Sequence, residues 1–228
     1  MKLIETKALT GTASSVTFTG IPQTFQDLYV LISARSSRSL ALDDCYLTVN
    51  NITSGYTGRG LDGNGSAASS FANAGASDKF YFMAIVTGAN ATANTFGNTS
   101  IYIPDYTSNQ SKSFSFDSVT ENNATESYQR ITAGHLSNTA AITSLTFTPG
   151  VGPNFTVGSS ISLYGIGGAG DGWAPKATGG SISFTGTHWV HTFAASGTFT
   201  PMADLTNVDY LVVAGGGSGA PTPVSYTH

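Results

Sequence analysis

The sequence predicts an all-β protein: an antiparallel two-sheet sandwich of jelly-roll type with a small β unit after it. Three observations carry this. Apolar and polar residues alternate with period two along most of the chain, the pattern of strands buried on one side and wet on the other. Thr, Val, Ile, Phe and Tyr fill the alternating runs, and Gly, Asn, Pro or Ser break them. No segment places apolar residues at i, i+3, i+4 and i+7 over three turns, so no long amphipathic helix is expected.

In order, strands are expected in "SSVTFTG" (Val16, Phe18), "DLYVLIS" (Leu28, Val30, Ile32), "CYLTV" (Cys45, Leu47, Val49), "FYFMAIV", "TSIYIP", "SKSFSFDSV" (Phe114, Phe116), "YQRITAG", "ITSLTFTP" (Leu145, Phe147) and "SSISLYGI" (Ile161, Leu163). Roughly nine or ten strands therefore precede Ile166. Their connections are uneven in length, which favours two packed sheets over an up-and-down barrel with tight hairpins. The longest connection is expected at 51–78, where "FANAGASDKF" supplies at most one short helix. Loops of that length tend to be functional or mobile, and this one carries Tyr56 and Arg59.

Residues 1–166 make up the expected sandwich. From 167 to 180, "GGAGDGWAPKATGG" concentrates Gly and Pro without periodicity and reads as a linker. Residues 181–228 resume the alternation, with strands expected in "SISFTG", "HWVHTF", "GTFTP" and "VDYLVVA". So few residues enclose little core, and this unit is expected to lean on the sandwich or on copies of itself. A homo-oligomer follows.

At 228 residues the chain is long enough to bury a full hydrophobic core. Charged residues are only 10% of it, while Ser and Thr make up roughly a quarter, so its surface is built from hydroxyls, amides and glycine. Nine Lys and Arg against thirteen Asp and Glu give a net charge of −4. Without a basic cluster to neutralise phosphates, nucleic acid is not an expected partner. No run approaches the roughly 18 apolar residues that span a bilayer. "MKLIETKALTG" is broken by Glu5 and Lys7 before any apolar stretch develops, so neither membrane insertion nor a secretory leader is expected. Synthesis in a cytoplasm is the expectation. The single cysteine, Cys45, has no intrachain partner and is expected to fill a small core position.

The motifs that usually carry chemistry fail on physical grounds. "GIGGAG" at 165–170 matches a dinucleotide-binding glycine pattern, but no helix N-terminus follows it to receive a phosphate, so no cofactor is expected. His188 and His191 fall on opposite faces of a strand and cannot share a metal. Asp62 and Asn64 in "LDGNGS" lack the third ligand and the bidentate Glu of a calcium loop and read as a polar turn. There is no G-x-S-x-G elbow, and His135 has no nucleophile motif beside it. No pair among the carboxylates stands out as a glycosidase dyad. A non-enzymatic protein is expected.

Three stretches, "FTGIPQTFQDLYVLISARSSRS", "GNTSIYIPDYTSNQSKSFSFDSVTENNAT" and "SSISLYGIGG", resemble the β domain of tail-fibre and other virion proteins of tailed double-stranded DNA bacteriophages. The segment "SISFTGTHWVHTFAASGTFTPMADLTNVDYLVVAGGGSGA" is similar to the β segment that introduces a glycine-rich fibre tip. The resemblance implies a fibre, spike or decoration subunit in the virion, made in the host cytoplasm, trimeric, touching other virion proteins and, at the host surface, glycan. After "YLVVAGGGSGA" the chain departs into "PTPVSYTH". Glycine tracts are stable only where many backbones pack together, so this short run is expected to be a vestige or to be pinned by a neighbour. The alternative is a carbohydrate-binding β-sandwich module, whose loop aromatics stack on sugar rings. Tyr56, Tyr106 and Trp173 are the aromatics expected in that role, and Arg59 is the polar contact beside them.

Overall fold

The computed structural model describes residues 1–123, 126–168, 175–185, 188–202, 204–205 and 208–213. The chain divides into two compact units, Met1–Ala174 and Pro175–His228. That division falls inside the stretch read as a linker.

The first unit holds twelve strands: β1 (Lys2–Ala8), β2 (Val16–Thr19), β3 (Asp27–Ala34), β4 (Leu42–Val49), β5 (Tyr56–Gly63), β6 (Ala68–Ser77), β7 (Phe80–Thr87), β8 (Gly97–Ile103), β9 (Lys112–Val119), β10 (Gln129–Leu136), β11 (Ser144–Pro149) and β12 (Ser160–Ile166). They form an eight-stranded sheet in the order β1-β12-β3-β8-β9-β10-β5-β6 and a four-stranded sheet in the order β2-β11-β4-β7. All the pairings between these strands are antiparallel.

The topology is a jelly roll with two additions. Without the hairpins β5–β6 and β9–β10, eight strands remain as two four-stranded sheets, β1-β12-β3-β8 and β2-β11-β4-β7. The chain then changes sheet at every connection except β4 to β7, as two interleaved Greek keys require. The added hairpins extend the first sheet beyond β8, and this extension packs against β7.

The alternation seen in the sequence is the reason for the core. On β3 Leu28, Val30 and Ile32 are buried, and Cys45, Leu47 and Val49 on β4, Leu145 and Phe147 on β11, and Ile161 and Leu163 on β12 face them in one cluster. Each such side chain contributes about 1.5–3 kcal/mol when fully buried. Cys45 occupies the small core position expected for it. Where the extension meets β7, Phe80 packs edge-on against Tyr56, Phe114 and Phe116.

Two expectations need correction. The span 51–78 is not a long loop with a helical turn but the hairpin β5–β6, closed by Asn64, whose Oδ1 accepts from the amides of Ser66 (3.0 Å) and Ala67 (2.8 Å). Its strands, "YTGRGLDG" and "ASSFANAGAS", are so rich in Gly, Ala and Ser that backbone pairing rather than apolar alternation defines them. The strand count rises to twelve because this hairpin and the edge strand β1 were not foreseen.

The second unit contains two small sheets. β13 (Ala177–Thr178) pairs with β16 (Thr200–Pro201), and β14 (Ser181–Phe184) pairs with β15 (Trp189–Thr192). Three of its four expected strand positions are thus occupied. The fourth, at Val208–Val213, is described without a strand. Ala177 is the single buried residue among those described in this unit.

Candidate functional site

Two of the aromatics expected to contact a ligand lie in the core. Tyr56 opens β5 and is fully buried, its hydroxyl accepting from the Val49 amide (2.9 Å) and donating to the Val49 carbonyl (3.2 Å). Tyr106 is also fully buried, with its hydroxyl donating to the Pro22 carbonyl. Both rings fill space between elements while their polar ends satisfy backbone groups, the ordinary solution for a tyrosine inside a protein. Neither can stack on a sugar. Trp173 lies outside the described residues.

Arg59 is exposed on β5 and donates to the Gly58 carbonyl at 3.0 Å. It borders a shallow, open depression of about 580 Å³ with Leu61, Phe71 and Ile131. The structure therefore separates Arg59 from Tyr56 and Tyr106 instead of bringing them together. Leu61 and Ile131 are partners across β5 and β10, at 60% and 53% exposure, and make this patch aliphatic.

The remaining sequence candidates have structural partners. Asp62 is held by the Arg130 guanidinium at 2.7 and 2.8 Å, so it belongs to an ion pair, and Asn64 belongs to the turn. His191 places Nδ1 at 2.8 Å from the Gly179 carbonyl and its ring edge-on to Phe199. His135 stands on the outward face of β10 opposite Ser113. Among the described residues no three His, Cys, Asp or Glu side chains gather as a metal site.

A different constellation stands on the outer face of the large sheet. Tyr102 of β8 is the register partner of Tyr29 of β3, and Tyr29 is the partner of Tyr164 of β12. Three tyrosines thus form one row across three adjacent strands. Their chain neighbours Leu28, Val30, Ile101, Ile103 and Leu163 are buried, so alternation turns the tyrosines away from the core. Tyr102 is 38% exposed, and Tyr29 and Tyr164 are half-buried. One end of the row is fixed by Asp27, whose Oδ2 accepts from the Tyr102 hydroxyl at 2.8 Å and whose Oδ1 accepts from the Asp105 amide at 2.9 Å. The bond to this carboxylate is the main reason the Tyr102 hydroxyl titrates above its ordinary value, with burial adding to it.

No family model, curated protein or solved structure matches the chain. The chemistry of its surfaces has to speak for itself. The next register level holds Ser100, Leu31 and Ser162, and the one beyond it Asn98, Ser33 and Ser160. Over β12, β3, β8 and β9 the outward positions carry Asp27 and Asp117 but neither Lys nor Arg. The face is weakly acidic and rich in hydroxyls.

Sequence reasoning missed this row although half its signal was available. In "LYVLI", "SIYIP" and "SLYGI" each tyrosine sits out of phase with its apolar neighbours, which assigns it to the wet face. The order β12-β3-β8 was the missing half, because strands distant in sequence become neighbours only through the jelly-roll crossovers. The three stretches that carry the phage resemblance contribute these three adjacent strands.

A second aromatic group lies on the small sheet. Tyr46 of β4 packs edge-on against Tyr81 (4.7 Å) and Phe82 (6.1 Å) of β7, and the Lys79 amine stands 5.4 Å from the Tyr81 ring centre. Phe82 has a positive φ of 57°, an unusual conformation for a bulky residue, where the pairing of β7 with β4 shifts register. Its carbonyl accepts from Arg130 at 2.8 Å. These rings pack on one another and present edges, not a plane.

Proposed function

We propose that the chain is a non-enzymatic structural subunit of a tailed double-stranded DNA bacteriophage particle, a fibre, spike or decoration protein assembled in symmetric copies. The observation that carries this is the contrast between the two units. The first closes a continuous core of its own. In the second, Tyr210, Leu211, Val212 and Val213 are 80 to 90% exposed, and Phe193, Phe199 and Met202 are exposed as well. A chain with so much β-forming apolar surface in water is completed by association.

Other copies of the same chain supply that association, with the trimeric symmetry implied by the resemblance to fibre proteins, and further virion proteins extend it. The ordered motifs of the first unit support a virion assignment, and a hydroxyl-rich, weakly charged surface suits a subunit displayed to the host exterior. Such a subunit is made in the host cytoplasm, resides in the particle, and can touch host surface glycan.

Mass spectrometry of purified particles of the encoding phage tests the assignment. The expected result is this chain in stoichiometric copies; particles lacking it would overturn the reading. Sedimentation of the purified protein at micromolar concentration is expected to show an oligomer, and a monomer with both units folded would remove the argument from the exposed second unit.

A further inference from the structure

We infer that the row Tyr102–Tyr29–Tyr164 is a binding platform for a neutral glycan, with Asp27 as the residue that holds its exposed end in place. Neighbouring strands in a sheet lie about 4.8 Å apart, so three tyrosines on adjacent strands make a row roughly 10 Å long, the length of a disaccharide. Aromatic side chains present broad apolar faces, and the C–H faces of pyranose rings cover such surfaces while leaving sugar hydroxyls at the margin. That margin is supplied with partners. Ser100 and Ser162 stand one register level away, short enough not to obstruct a ligand lying on the rings and able to donate or accept.

The electrostatics select the class of ligand. With no Lys or Arg at the outward positions of β12, β3, β8 and β9, the face has nothing to pair with a sulfated, phosphorylated or uronic acid polymer. Its two acids, Asp27 and Asp117, disfavour anions outright. A second copy of the chain fits less well, because the core of a protein interface is apolar and here the level beside the tyrosines offers Leu31 between two serines.

Preorganisation is the remaining observation. An exposed tyrosine ordinarily samples several rotamers, and fixing one costs free energy on binding. Tyr102 is fixed already, its hydroxyl bonded at 2.8 Å to Asp27, which is itself buried and tied to the Asp105 amide. A surface ring held in this way loses less conformational freedom when a ligand binds. The inference does not depend on the virion assignment, since it concerns the isolated chain.

Native gel electrophoresis of the full chain through gels containing dextran, hydroxyethylcellulose, galactomannan or alginate tests it. The expected result is retardation by at least one of the three neutral polymers and none by the acidic alginate. Tyr102→Ala and Tyr164→Ala should each weaken the apparent affinity about tenfold. Tyr102→Phe keeps the ring but loses the bond to Asp27 that fixes it, so its affinity should fall between those of the parent and Tyr102→Ala. If Tyr102→Ala fails to fold by circular dichroism, Tyr164→Ala at the other end of the row carries the comparison. Three outcomes overturn the inference: no retardation by any neutral polymer, retardation by alginate alone, or retardation that both alanine variants retain in full. A fourth does so as well: alanine variants that change the sedimenting mass but not the retardation would make the row an interface between copies.

Discussion

Arg130 and Asp62 face each other across β10 and β5 and join through two parallel hydrogen bonds, Nε to Oδ1 at 2.7 Å and Nη2 to Oδ2 at 2.8 Å. The same guanidinium reaches the other sheet, where Nη1 donates to Asp44 Oδ1 at 2.9 Å and to the Phe82 carbonyl at 2.8 Å. One side chain therefore ties the added hairpin to β4 and to the bulged part of β7. Removing it leaves two carboxylates and a carbonyl unpaired in a site where the three charged side chains are only 12 to 14% exposed. Arg130→Met is expected to cost about 2–3 kcal/mol. Urea denaturation monitored by circular dichroism measures this, and a loss below about 0.5 kcal/mol would show the pair to be decorative.

Asp44 gives that network a pH dependence. Burial, the largest influence, raises its carboxyl above the usual 3.8, and the charge and hydrogen bond of Arg130 pull it back only in part. A carboxyl whose folded pKa exceeds its unfolded one stabilises the fold fully below the unfolded value, and that contribution is lost as pH rises through the folded value. Asp44→Asn carries no charge at any pH. It should therefore gain stability relative to the parent as pH is raised from below 3.8 to neutrality. Thermal melts across that window check the sign, and a gap that moves the other way would mean that Arg130 outweighs burial.

The aromatic knot around Phe80 should be the most sensitive part of the core. Phe80 is fully buried and meets Tyr56, Phe114 and Phe116 at 4.9, 4.6 and 5.5 Å between ring centres. Phe80→Ala is expected to cost about 3–5 kcal/mol through lost burial and the cavity left behind. Tyr56→Phe keeps the ring but strands the Val49 amide, while the Val49 carbonyl still accepts from the Ile52 amide at 2.8 Å, for about 1–3 kcal/mol. Equilibrium unfolding of the two variants should rank them in that order.

Much of this architecture was legible in the sequence, and the parts that were not have identifiable causes. Strict alternation located β2, β3, β4, β9, β11 and β12 because each buries one face against the opposite sheet. β5 and β6 were hidden because "GRGLDG" and "ASSFANAG" offer the backbone for pairing but few apolar side chains to mark it. Tyr56 and Tyr106 were misplaced because both were read as loop aromatics, Tyr56 within the connection expected at 51–78. Three-dimensional packing decided otherwise. For the tyrosine row the outward direction was readable, whereas adjacency was not, since it depends on crossovers between strands far apart in the chain.

Cys45 provides a probe of folding that needs no substitution. Its thiol is 1% exposed, and burial first, then the nearby Asp43 and Asp44 charges, push its pKa far above the ordinary value. Thiolate is the reactive form, so iodoacetamide should leave the native protein unmodified and alkylate it fully in denaturant. Intact-mass spectrometry reads the outcome. Rapid labelling under native conditions would place Cys45 outside the core.

The two units should also behave differently when separated. A chain truncated after Ala174 keeps every strand of both large sheets and should melt cooperatively as a soluble sandwich. The segment 181–228 alone should give poorly dispersed amide resonances, and its deletion should weaken oligomerisation. A monomeric, well-dispersed spectrum from that segment would make it an autonomous domain.

Lys2 and Gly165 are partners across β1 and β12, so the sandwich receives its chain and releases it at adjoining points on one edge. A body with its two doors side by side behaves as a cassette. It can be spliced into a surface turn of another protein without prising that turn apart, or strung in tandem with each copy hanging from the same side of the thread. The outer tyrosine row lies on β12, β3 and β8, the strands next to that edge.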